Sequence, residues 1–295
     1  MAAGWVPTGP GDPLGRVTVR VPVERLHTSN GAIMRTRRPD VLAVEEPLEI
    51  RAAGQVITVT MRTPGADLDL VHGYLLAEGI IDAADQVRGA RYCAGAVATG
   101  PEGVEQNTYN VLDVDLLDPA RVPTGVSRVT MSTSACGVCG SASIDAISAR
   151  VPTHLGRGEV RVAADVVLTL AGALRERQSV FEKTGGLHAA AVADVTGHIH
   201  THAEDVGRHN AVDKTIGAAL RAGSLPREDA ILVVTSRASF EIVQKAAMAG
   251  IAIVATVSAP SSLAVETAAT LGMTLIAFAR GDRCNVYSGF ERVTD

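Results

Sequence analysis

The sequence predicts an α/β protein of two domains, a smaller, mostly antiparallel α+β domain followed by a larger α/β domain. Three observations predict this. The chain of 295 residues is long enough for two ordinary domains. Hydrophobic residues make up 46% of it and aromatic residues only 3%, so small aliphatic side chains must build the core, which suits tightly packed α/β layers. The apolar pattern also changes along the chain, from a run of strands to alternating strands and helices.

The first domain is predicted at residues 16–122, after a disordered leader at residues 1–15. The leader contains four Gly and three Pro residues, a composition that does not support a packed core. The segment 56–62 alternates apolar and polar residues, as a half-buried strand does. The predicted elements are, in order, strands at 16–25, 40–52 and 56–62, a helix at 67–78, and short strands within 87–117 around a loop at 100–106.

The second domain is predicted at residues 123–295, and its boundary near 120–126 coincides with a cluster of Pro and Gly residues. Strands and helices that alternate at this pitch are typical of βαβ units, so a largely parallel sheet is expected. The all-apolar segment 231–235 suits a sheet that is covered on both faces. Helices are predicted at 139–150, 163–178, 208–221, 239–249 and 261–271, and strands at 189–194, 198–202, 231–235, 252–256 and 274–279.

Composition and charge argue against several classes of protein. The formal net charge of -5 disfavours a general nucleic-acid or anionic-membrane surface, so neither partner is expected. No stretch approaches the length of an apolar membrane span, and the first residues lack the charged-then-apolar pattern of a signal peptide. Four cysteines in a chain of this length do not form a disulfide scaffold. We therefore expect a cytoplasmic protein, in which closely spaced cysteines are reactive or bind metal.

Two cysteines with the spacing C-x-x-C, Cys136 and Cys139, are the most informative feature of the sequence. A glycine follows each of them and permits a sharp turn, and a predicted helix begins here. A thiol at a helix start is stabilised as the thiolate by the helix dipole and unpaired N–H groups. The residues alone favour a sulfur carrier and a thioredoxin-like redox pair about equally. A structural zinc site ranks lower, because Cys93 and Cys284 lie far apart and form no second pair.

A second polar stretch comprises His188 and residues 204–214. Two glycines precede His188 and permit a ligand to approach the backbone closely. Arg208 and His209 stand with other hydrogen-bonding residues at the start of a predicted helix. Capping and ion pairing along that helix would explain single residues of this kind. The density of polar groups nevertheless favours a polar pocket over a solvated helix cap.

Polar residues also follow three successive strands of the second domain. Arg280 and Arg283 flank a glycine after the last of these strands, and two arginines so placed can bind phosphate bidentately. Ser236 and Arg237 open a predicted helix and form a second candidate anion site, and the segment 258–262 repeats the arrangement. Because ligands of α/β sheets bind at the carboxyl ends of strands, a large phosphate-bearing ligand is expected. No P-loop or G-x-G-x-x-G pattern supports ordinary ATP or NAD binding.

Taken together, these stretches resemble the FdhD family, the sulfur carrier proteins needed to make active formate dehydrogenase. The similarity runs over roughly residues 16–292 in one collinear order, and several blocks are long enough to be diagnostic. The blocks are EEPL at 45–48, MRTPG at 61–65, SACGVCG at 134–140, TGGLHAA at 184–190, EDVGRHNAVDK at 204–214, SRASFEIVQK at 236–245 and VSAPSSLAVE at 257–266.

The resemblance implies a sulfurtransferase that takes sulfane sulfur from a cysteine desulfurase. It passes this sulfur to molybdenum in bis(molybdopterin guanine dinucleotide) before that cofactor enters apo-formate dehydrogenase. The cofactor is thus bound as the substrate of sulfuration, GDP-like nucleotides are expected to mimic it, and no resident metal is expected. The resemblance also implies a cytidine-deaminase-like larger domain and a homodimer.

Site residues follow from the resemblance position by position. The family's persulfide-bearing cysteine matches Cys136, and Cys139 is expected to assist it. Cys284 stands where a cysteine is not a general feature of the family, and it is assigned no role. The residues expected to bind the cofactor are Phe278, Ala279, Arg280, Gly281, Asp282 and Arg283, together with Ser236, Arg237, His188, Arg208 and His209.

The implied deaminase-like fold raises an alternative, a zinc-dependent hydrolase with the two C-x-x-C cysteines and a histidine as ligands. Its acid/base signature H-x-E occurs only at residues 202–204, downstream of the cysteines rather than upstream, and no proline precedes Cys136. A chaperone that merely holds the apo-dehydrogenase is a third class, and it would not need Cys136. The sequence favours the sulfur carrier.

Overall fold

The computed structural model arranges the chain around two β-sheets. Among the residues that it describes, no helix is long and apolar enough to cross a membrane. The predicted leader at 1–15 and the predicted helix at 139–150 lie outside the described residues. The described residues are 17–93, 98–99, 105–106, 110–123, 151, 155, 160–227 and 229–295.

A long antiparallel hairpin precedes the first sheet. Strand β1 (Thr18–Ser29) pairs along its whole length with β2 (Ala32–Ala43). The Asn-Gly turn between them has positive φ angles of 51° and 77°, as expected of this pair in a tight hairpin. The predicted strands at 16–25 and 40–52 missed the middle of the hairpin. Most side chains there are exposed, so no alternation of apolar and polar residues marks the strands.

The first sheet is mostly antiparallel, as predicted. Its order is β4-β3-β8-β5, in which β3 and β8 run parallel and the other neighbours antiparallel. The predicted strand at 40–52 is in fact the end of β2 followed by β3. The elements are β3 (Glu46–Ala52), β4 (Gln55–Arg62), helix α1 (Asp67–Ala77), β5 (Val87–Cys93), the short pair β6 (Ala98–Thr99) and β7 (Glu105–Gln106), and β8 (Val111–Leu116).

The second half of the described chain alternates strands and helices. The predicted helix at 163–178 corresponds to α2, and a second short helix, α3, follows it after a break at Gln178 and was not predicted. The elements are β9 (Val162–Ala163), α2 (Ala164–Glu176), α3 (Ser179–Thr184), β10 (His188–Asp194), β11 (Ile199–Asp205), α4 (Arg208–Arg221), β12 (Ala230–Val234), α5 (Phe240–Met248), β13 (Ile253–Thr256), α6 (Ser262–Thr270), β14 (Thr274–Arg280), β15 (Arg283–Ser288) and β16 (Val293–Thr294).

The large sheet is mixed, and the prediction of a largely parallel sheet was wrong. Its order is β11-β10-β12-β13-β14-β15. Strands β12, β13 and β14 run parallel because a helix crosses over between them. Strands β11 and β15 are each joined to their neighbour by a tight turn, which requires antiparallel pairing, and β10 is antiparallel to β12.

The two faces of the large sheet are covered by different helices. One face packs on α2 through Val167, Leu170 and Leu174. The opposite face packs on α4, α5 and α6, and this core continues through Leu75 on α1 to Leu48 in the first sheet. The α/β fold class is therefore confirmed, whereas the cytidine-deaminase-like character and the domain bounds stay predictions.

Helices α1 and α4 join the two sheets, and they approach closely at two glycines. A methyl group at Gly73 would overlap the carbonyl oxygen of Asp213 on α4. A methyl group at Gly217 would overlap the carbonyl oxygen of Asp69 on α1. The glycines are thus required by the helix contact, since any side chain would push the helices apart.

Candidate ligand site at the strand-end edge

The segments that follow β12, β13 and β14 lie side by side at one edge of the large sheet. The Ala238 N–H donates to the Ala259 carbonyl at 3.2 Å, and the Ser261 N–H donates to the Ala238 carbonyl at 2.9 Å. The Phe278 N–H donates to the Ser258 carbonyl at 3.4 Å. The predicted convergence of three strand ends is therefore present in the structure.

The antiparallel strands bring two further predicted segments to the same edge. Strand β10 begins here with His188, which lies opposite Asp205 at the end of β11. The Ala189 N–H donates to the Thr235 hydroxyl at 2.9 Å, which ties β10 to the end of β12. Helix α4 starts immediately after β11, so Arg208 and His209 also lie near this edge.

A cavity of about 550 Å³ opens at this edge. Its size is in the range of small-molecule and cofactor sites. Four predicted site residues, His188, Ala279, Arg280 and Gly281, line it. The other described lining residues come mainly from α2, α3 and the loops at the edge, namely Ala171, Gly172, Arg175, Gln178, Phe181, Gly185, Gly186, Leu187, Thr235 and Val257.

The turn between β14 and β15 presents Arg280 to the cavity. The strand is irregular at Phe278, whose φ of 53° is rare for a residue other than glycine. Such an irregularity bends a strand and redirects the side chains that follow. Arg280 pairs in register with Arg283, and both side chains are exposed. Neither Arg283 nor Asp282 belongs to the described lining, so the turn contributes through Ala279, Arg280 and Gly281.

His188 is a half-buried imidazole in the cavity wall. Burial lowers the pKa of His188, and the neighbouring Arg208 and His209 lower it further against the opposing effect of Asp205. The ring is therefore neutral at pH 7 and able to accept a proton. His209 itself contacts α5, with its Nε2 2.6 Å from Glu241 Oε2. This contact lowers the pKa of Glu241.

Ser236 and Arg237 lie beside the cavity but not in its described lining. Ser236 is buried, and its hydroxyl donates to the Arg237 carbonyl at 3.0 Å. Arg237 is exposed. Thr235, one residue earlier, supplies the polar group at this point of the wall. The anion site expected at Ser236 and Arg237 stays a prediction.

Much of the polar stretch at 204–214 forms an internal network rather than a cavity wall. Asp205 is fully buried and lies 2.7 Å from Lys214 Nζ. The Thr63 N–H donates to Asp205 at 3.1 Å, and Lys214 donates to the Thr63 carbonyl at 2.7 Å. Asn210 donates to the Met61 carbonyl at 2.7 Å. These contacts tie the start of α4 to the end of β4.

The Glu204 side chain also makes a structural contact. Its carboxylate accepts hydrogen bonds from the N–H groups of Val180 at 2.9 Å and Phe181 at 2.7 Å. These donors belong to the first turn of α3, where they have no partner within the helix. The contact fixes α3 at the cavity wall, and it occupies the carboxylate that the zinc-hydrolase alternative would use as its acid or base.

The sequence analysis did not predict that α2 and α3 form one wall of the cavity. The Arg175 guanidinium lies 4.4 Å from the centre of the Phe181 ring, and both line the cavity with Gln178. The Gly-Gly pair before His188 was the available signal, since Gly185 ends α3 with a φ of 67°. Arg175 itself has no sequence feature that distinguishes it from an ordinary exposed residue of a helix.

The predicted sulfur-carrying pair, Cys136 and Cys139, lies outside the described residues. The structure does describe Cys93 and Cys284, which are both free thiols of intermediate exposure. Burial raises the pKa of Cys284, so its thiolate form is disfavoured.

Comparison with known proteins identifies relatives over nearly the whole chain. The sequence model of the FdhD/NarQ family matches residues 43–294. The chain is 54% identical over 279 residues to the protein named sulfur carrier protein FdhD from Nocardia farcinica, covering 95% of this chain and 96% of that protein. It is 50% identical over 258 residues to the protein of the same name from Mycobacterium tuberculosis. This match covers 87% of this chain and 93% of that protein.

A solved structure has the same fold. It is the crystal structure of a proposed formate dehydrogenase accessory protein from Desulfotalea psychrophila, with a TM-score of 0.68. The match covers 93% of this chain and 99% of that chain at 22% sequence identity, a level that bears on the fold alone. Because the family model matches most of the sequence and two relatives are 54% and 50% identical to it, the chain belongs to the FdhD/NarQ family.

Proposed function

We propose that this chain is a sulfur carrier that serves formate dehydrogenase. The name shared by relatives that are 54% and 50% identical supports this role, as does the name of the structural neighbour. The observation that carries the finer proposal is the cavity at the strand-end edge. Residues chosen from sequence for cofactor binding, including Arg280 and His188, meet there in a space large enough for a nucleotide.

In the proposed reaction Cys136 receives sulfur from a cysteine desulfurase. The Cys136 thiolate attacks the terminal sulfur of the donor's persulfide. The donor's S–S bond breaks, its cysteine leaves as a thiolate, and Cys136 then carries the sulfane sulfur.

Cys139 assists the second step. Its thiolate attacks the inner sulfur of the Cys136 persulfide, a Cys136–Cys139 disulfide forms, and the terminal sulfur leaves as hydrosulfide for the molybdenum. The two cysteines supply the two electrons that reduce the sulfane sulfur. A thiol reductant must therefore restore them before the next turnover.

The acceptor is molybdenum in bis(molybdopterin guanine dinucleotide), which the protein binds as a substrate. Arg280 is an exposed cation on the cavity, and it is suited to a charge-assisted hydrogen bond to a phosphate of this ligand. The neutral His188 is suited to accept a proton beside the bound cofactor. The proposed partners are a cysteine desulfurase and apo-formate dehydrogenase, and the proposed assembly is a homodimer in the cytoplasm.

Complementation tests this function. In a strain that lacks its own carrier, the wild-type chain should restore formate dehydrogenase activity, Cys136→Ala should restore none, and Cys139→Ala should restore part of it. Cys93→Ala is the matched control, because Cys93 lies on β5 in the first sheet. Full activity with Cys136→Ala at equal protein level would contradict sulfur transfer and indicate a chaperone.

A further inference from the structure

The hairpin formed by β1 and β2 is anchored at one end and exposed at the other. At its base, the Val44 N–H donates to the Val17 carbonyl at 3.0 Å, and β2 contacts α3 beside the cavity. Each strand has 12 residues and therefore spans about 40 Å. Every residue from 24 to 39 is exposed. This outer half of the hairpin, residues 24–39, extends into solvent as an arm.

The arm carries three large apolar side chains, Leu26, Ile33 and Met34, which are 56%, 70% and 50% exposed. Leu26 and Thr28 are two residues apart on β1, and Ile33 lies opposite Thr28. Leu26 and Ile33 therefore share one face of the ribbon. A two-stranded ribbon is at best marginally stable in water, and clustered exposed apolar side chains are typical of interaction sites. This face thus has the composition of a docking surface.

The two edges of the ribbon are closed to strand addition near its middle. Pro22 on β1 lies opposite Pro39 on β2. Proline has no N–H group, so neither edge can donate there the hydrogen bond that an added strand would need. The faces of the arm, rather than its edges, are thus available to a partner.

The hairpin and the rest of the chain have opposite charge. Strands β1 and β2 contain five Arg, one Glu and one Asp, which give a formal charge of +3. The rest of the chain must carry -8 to give the total of -5. On the face of Leu26, Arg35 and Arg37 lie on β2, and Glu24 offsets one of them. Because complementary charge favours association, a second copy of this chain is a suitable partner.

The first sheet has a surface of complementary composition at the end of β8. Leu117 is 53% exposed, and its N–H donates to the Gln86 carbonyl at 2.8 Å, which brings the turn before β5 beside it. Asp82 is already paired with Arg121, and Arg88 lies nearby on β5. Three more exposed carboxylates lie within two residues of Leu117 or Gln86, so acidic groups are in excess. These carboxylates, with Leu117, form the acidic patch: Asp85, Asp115 and Asp118.

We propose that the arm of one copy docks on the acidic patch of a second copy, and that the exchange is reciprocal. Leu26 and Ile33 cover Leu117, and Arg37 meets the carboxylates of the patch. Because both copies use the same two surfaces, the contact satisfies two-fold symmetry and closes as a dimer. The inference rests on the homodimer of the proposed function and adds its contact surfaces. It does not depend on sulfur transfer by Cys136.

Charge reversal with rescue by mixing tests this docking in analytical ultracentrifugation of the full chain. Arg35→Glu with Arg37→Glu reverses the arm, and Asp85→Arg with Asp115→Arg reverses the patch. The wild type should sediment as a dimer, whereas each variant alone should dimerise at least about tenfold more weakly, because like charges then meet at both contacts. An equimolar mixture should restore the dimer, since each arm then meets a patch of opposite charge. Arg161→Glu, at an exposed position before β9, should dimerise as the wild type does.

A monomeric wild type would overturn both the inference and the homodimer, while sulfur transfer keeps its own test. Variants that dimerise as the wild type does would place the dimer contact elsewhere and overturn the inference alone. A mixture that stays monomeric, with thermal unfolding as the check that both variants are folded, would show that the arm and the patch do not meet. Loss of desulfurase or apo-dehydrogenase binding by the arm variant, with dimerisation intact, would assign the arm to that partner instead.

Discussion

At the scale of single residues, the two arginines of the β14–β15 turn have different positions despite their equal appearance in the sequence. Arg280 lines the cavity, whereas Arg283 is paired with it across the turn but lies outside the described lining. The two positions should therefore contribute unequally to binding.

Arg280→Ala should weaken GDP binding about tenfold or more, since a hydrogen bond to a charged group contributes roughly 1.5–3 kcal/mol. Arg283→Ala should have a smaller effect, through the local positive potential only. Calorimetric titration measures both, with Arg88→Ala on the exposed side of β5 as control. A GDP affinity of Arg280→Ala equal to that of the control would remove the proposed phosphate contact.

The residues that sequence reasoning found and missed differ in how they reach the cavity. Arg280, Gly281 and His188 follow or begin strands, so the rule that ligands bind at strand ends predicts them. Gln178 and Phe181 reach the same cavity only because α2 and α3 pack onto the sheet. No spacing of residues in the sequence predicts that contact, since it depends on tertiary packing.

At the scale of elements, the contact between α1 and α4 depends on the two glycines that allow their backbones to approach. Gly217→Ala should destabilise the protein by about 3 kcal/mol or more, because the added methyl overlaps the Asp69 carbonyl oxygen and backbone must move. Gly172→Ala on α2 is the matched control, since among the described residues no atom beyond its chain neighbours and its own helix backbone lies within 4 Å of the added methyl group. It should be neutral or stabilise by about 0.5–1 kcal/mol.

Urea unfolding of both variants provides the measurement. A Gly217→Ala variant as stable as the wild type would show that α1 and α4 do not pack at this distance. Equal losses in both variants would show that the close approach has no special role. Gly172 lines the cavity but Gly217 does not, and unfolding is measured without a ligand, so the comparison reports on packing.

The β10–β11 turn contains a carboxylate whose pKa has a consequence for acid stability. Burial raises the pKa of Asp194, but hydrogen bonds from Thr196, His198 and His200 outweigh this effect and lower it to about 2. The unfolded value is about 3.9. Asp194 therefore contributes stability above about pH 4, and this contribution is lost as the pH falls toward 2.

Asp194→Asn should be less stable than the wild type by about 2 kcal/mol near pH 6, and the difference should shrink as the pH falls to about 3. Urea unfolding at the two pH values measures it. A difference that stays constant with pH would show that the charge of Asp194 does not matter to the turn. Asp165→Asn, on the exposed first turn of α2, is a control.

At the scale of the whole molecule, a buried ion pair joins the halves of the chain. Asp205 and Lys214 belong to the large sheet and α4, and both bond to Thr63 after β4. A buried pair contributes little by its mere presence, but removing one partner leaves an uncompensated charge. We therefore expect the two sheets to unfold together.

Asp205→Asn should lower the free energy of unfolding by about 3–5 kcal/mol, because Lys214 stays buried at 2% exposure without a counter-charge. Arg91→Ala breaks an exposed pair with Asp113 and should cost less than about 1 kcal/mol. Urea unfolding followed by two spectroscopic probes distinguishes one transition from two. A stable Asp205→Asn variant, or separate transitions in the wild type, would contradict this account.

The large-scale architecture was predictable where burial leaves a periodic pattern. The alternation of strands and helices from β12 to β14 is explicit in the sequence, and it predicts the parallel part of the sheet. The β10–β11 and β14–β15 turns reverse the chain without a crossover helix. Their pairing follows from turn geometry rather than apolar spacing, which is why the sheet is mixed and not largely parallel.

The central claim is that Cys136 carries sulfur, and intact-mass spectrometry tests it most directly. The wild type, mixed with a cysteine desulfurase and cysteine, should gain the mass of one sulfur atom, and a thiol reductant should remove it. Cys136→Ala should gain none, whereas Cys93→Ala should gain it as the wild type does. A wild type without the reductant-labile adduct, or the same adduct on Cys136→Ala, would contradict the account.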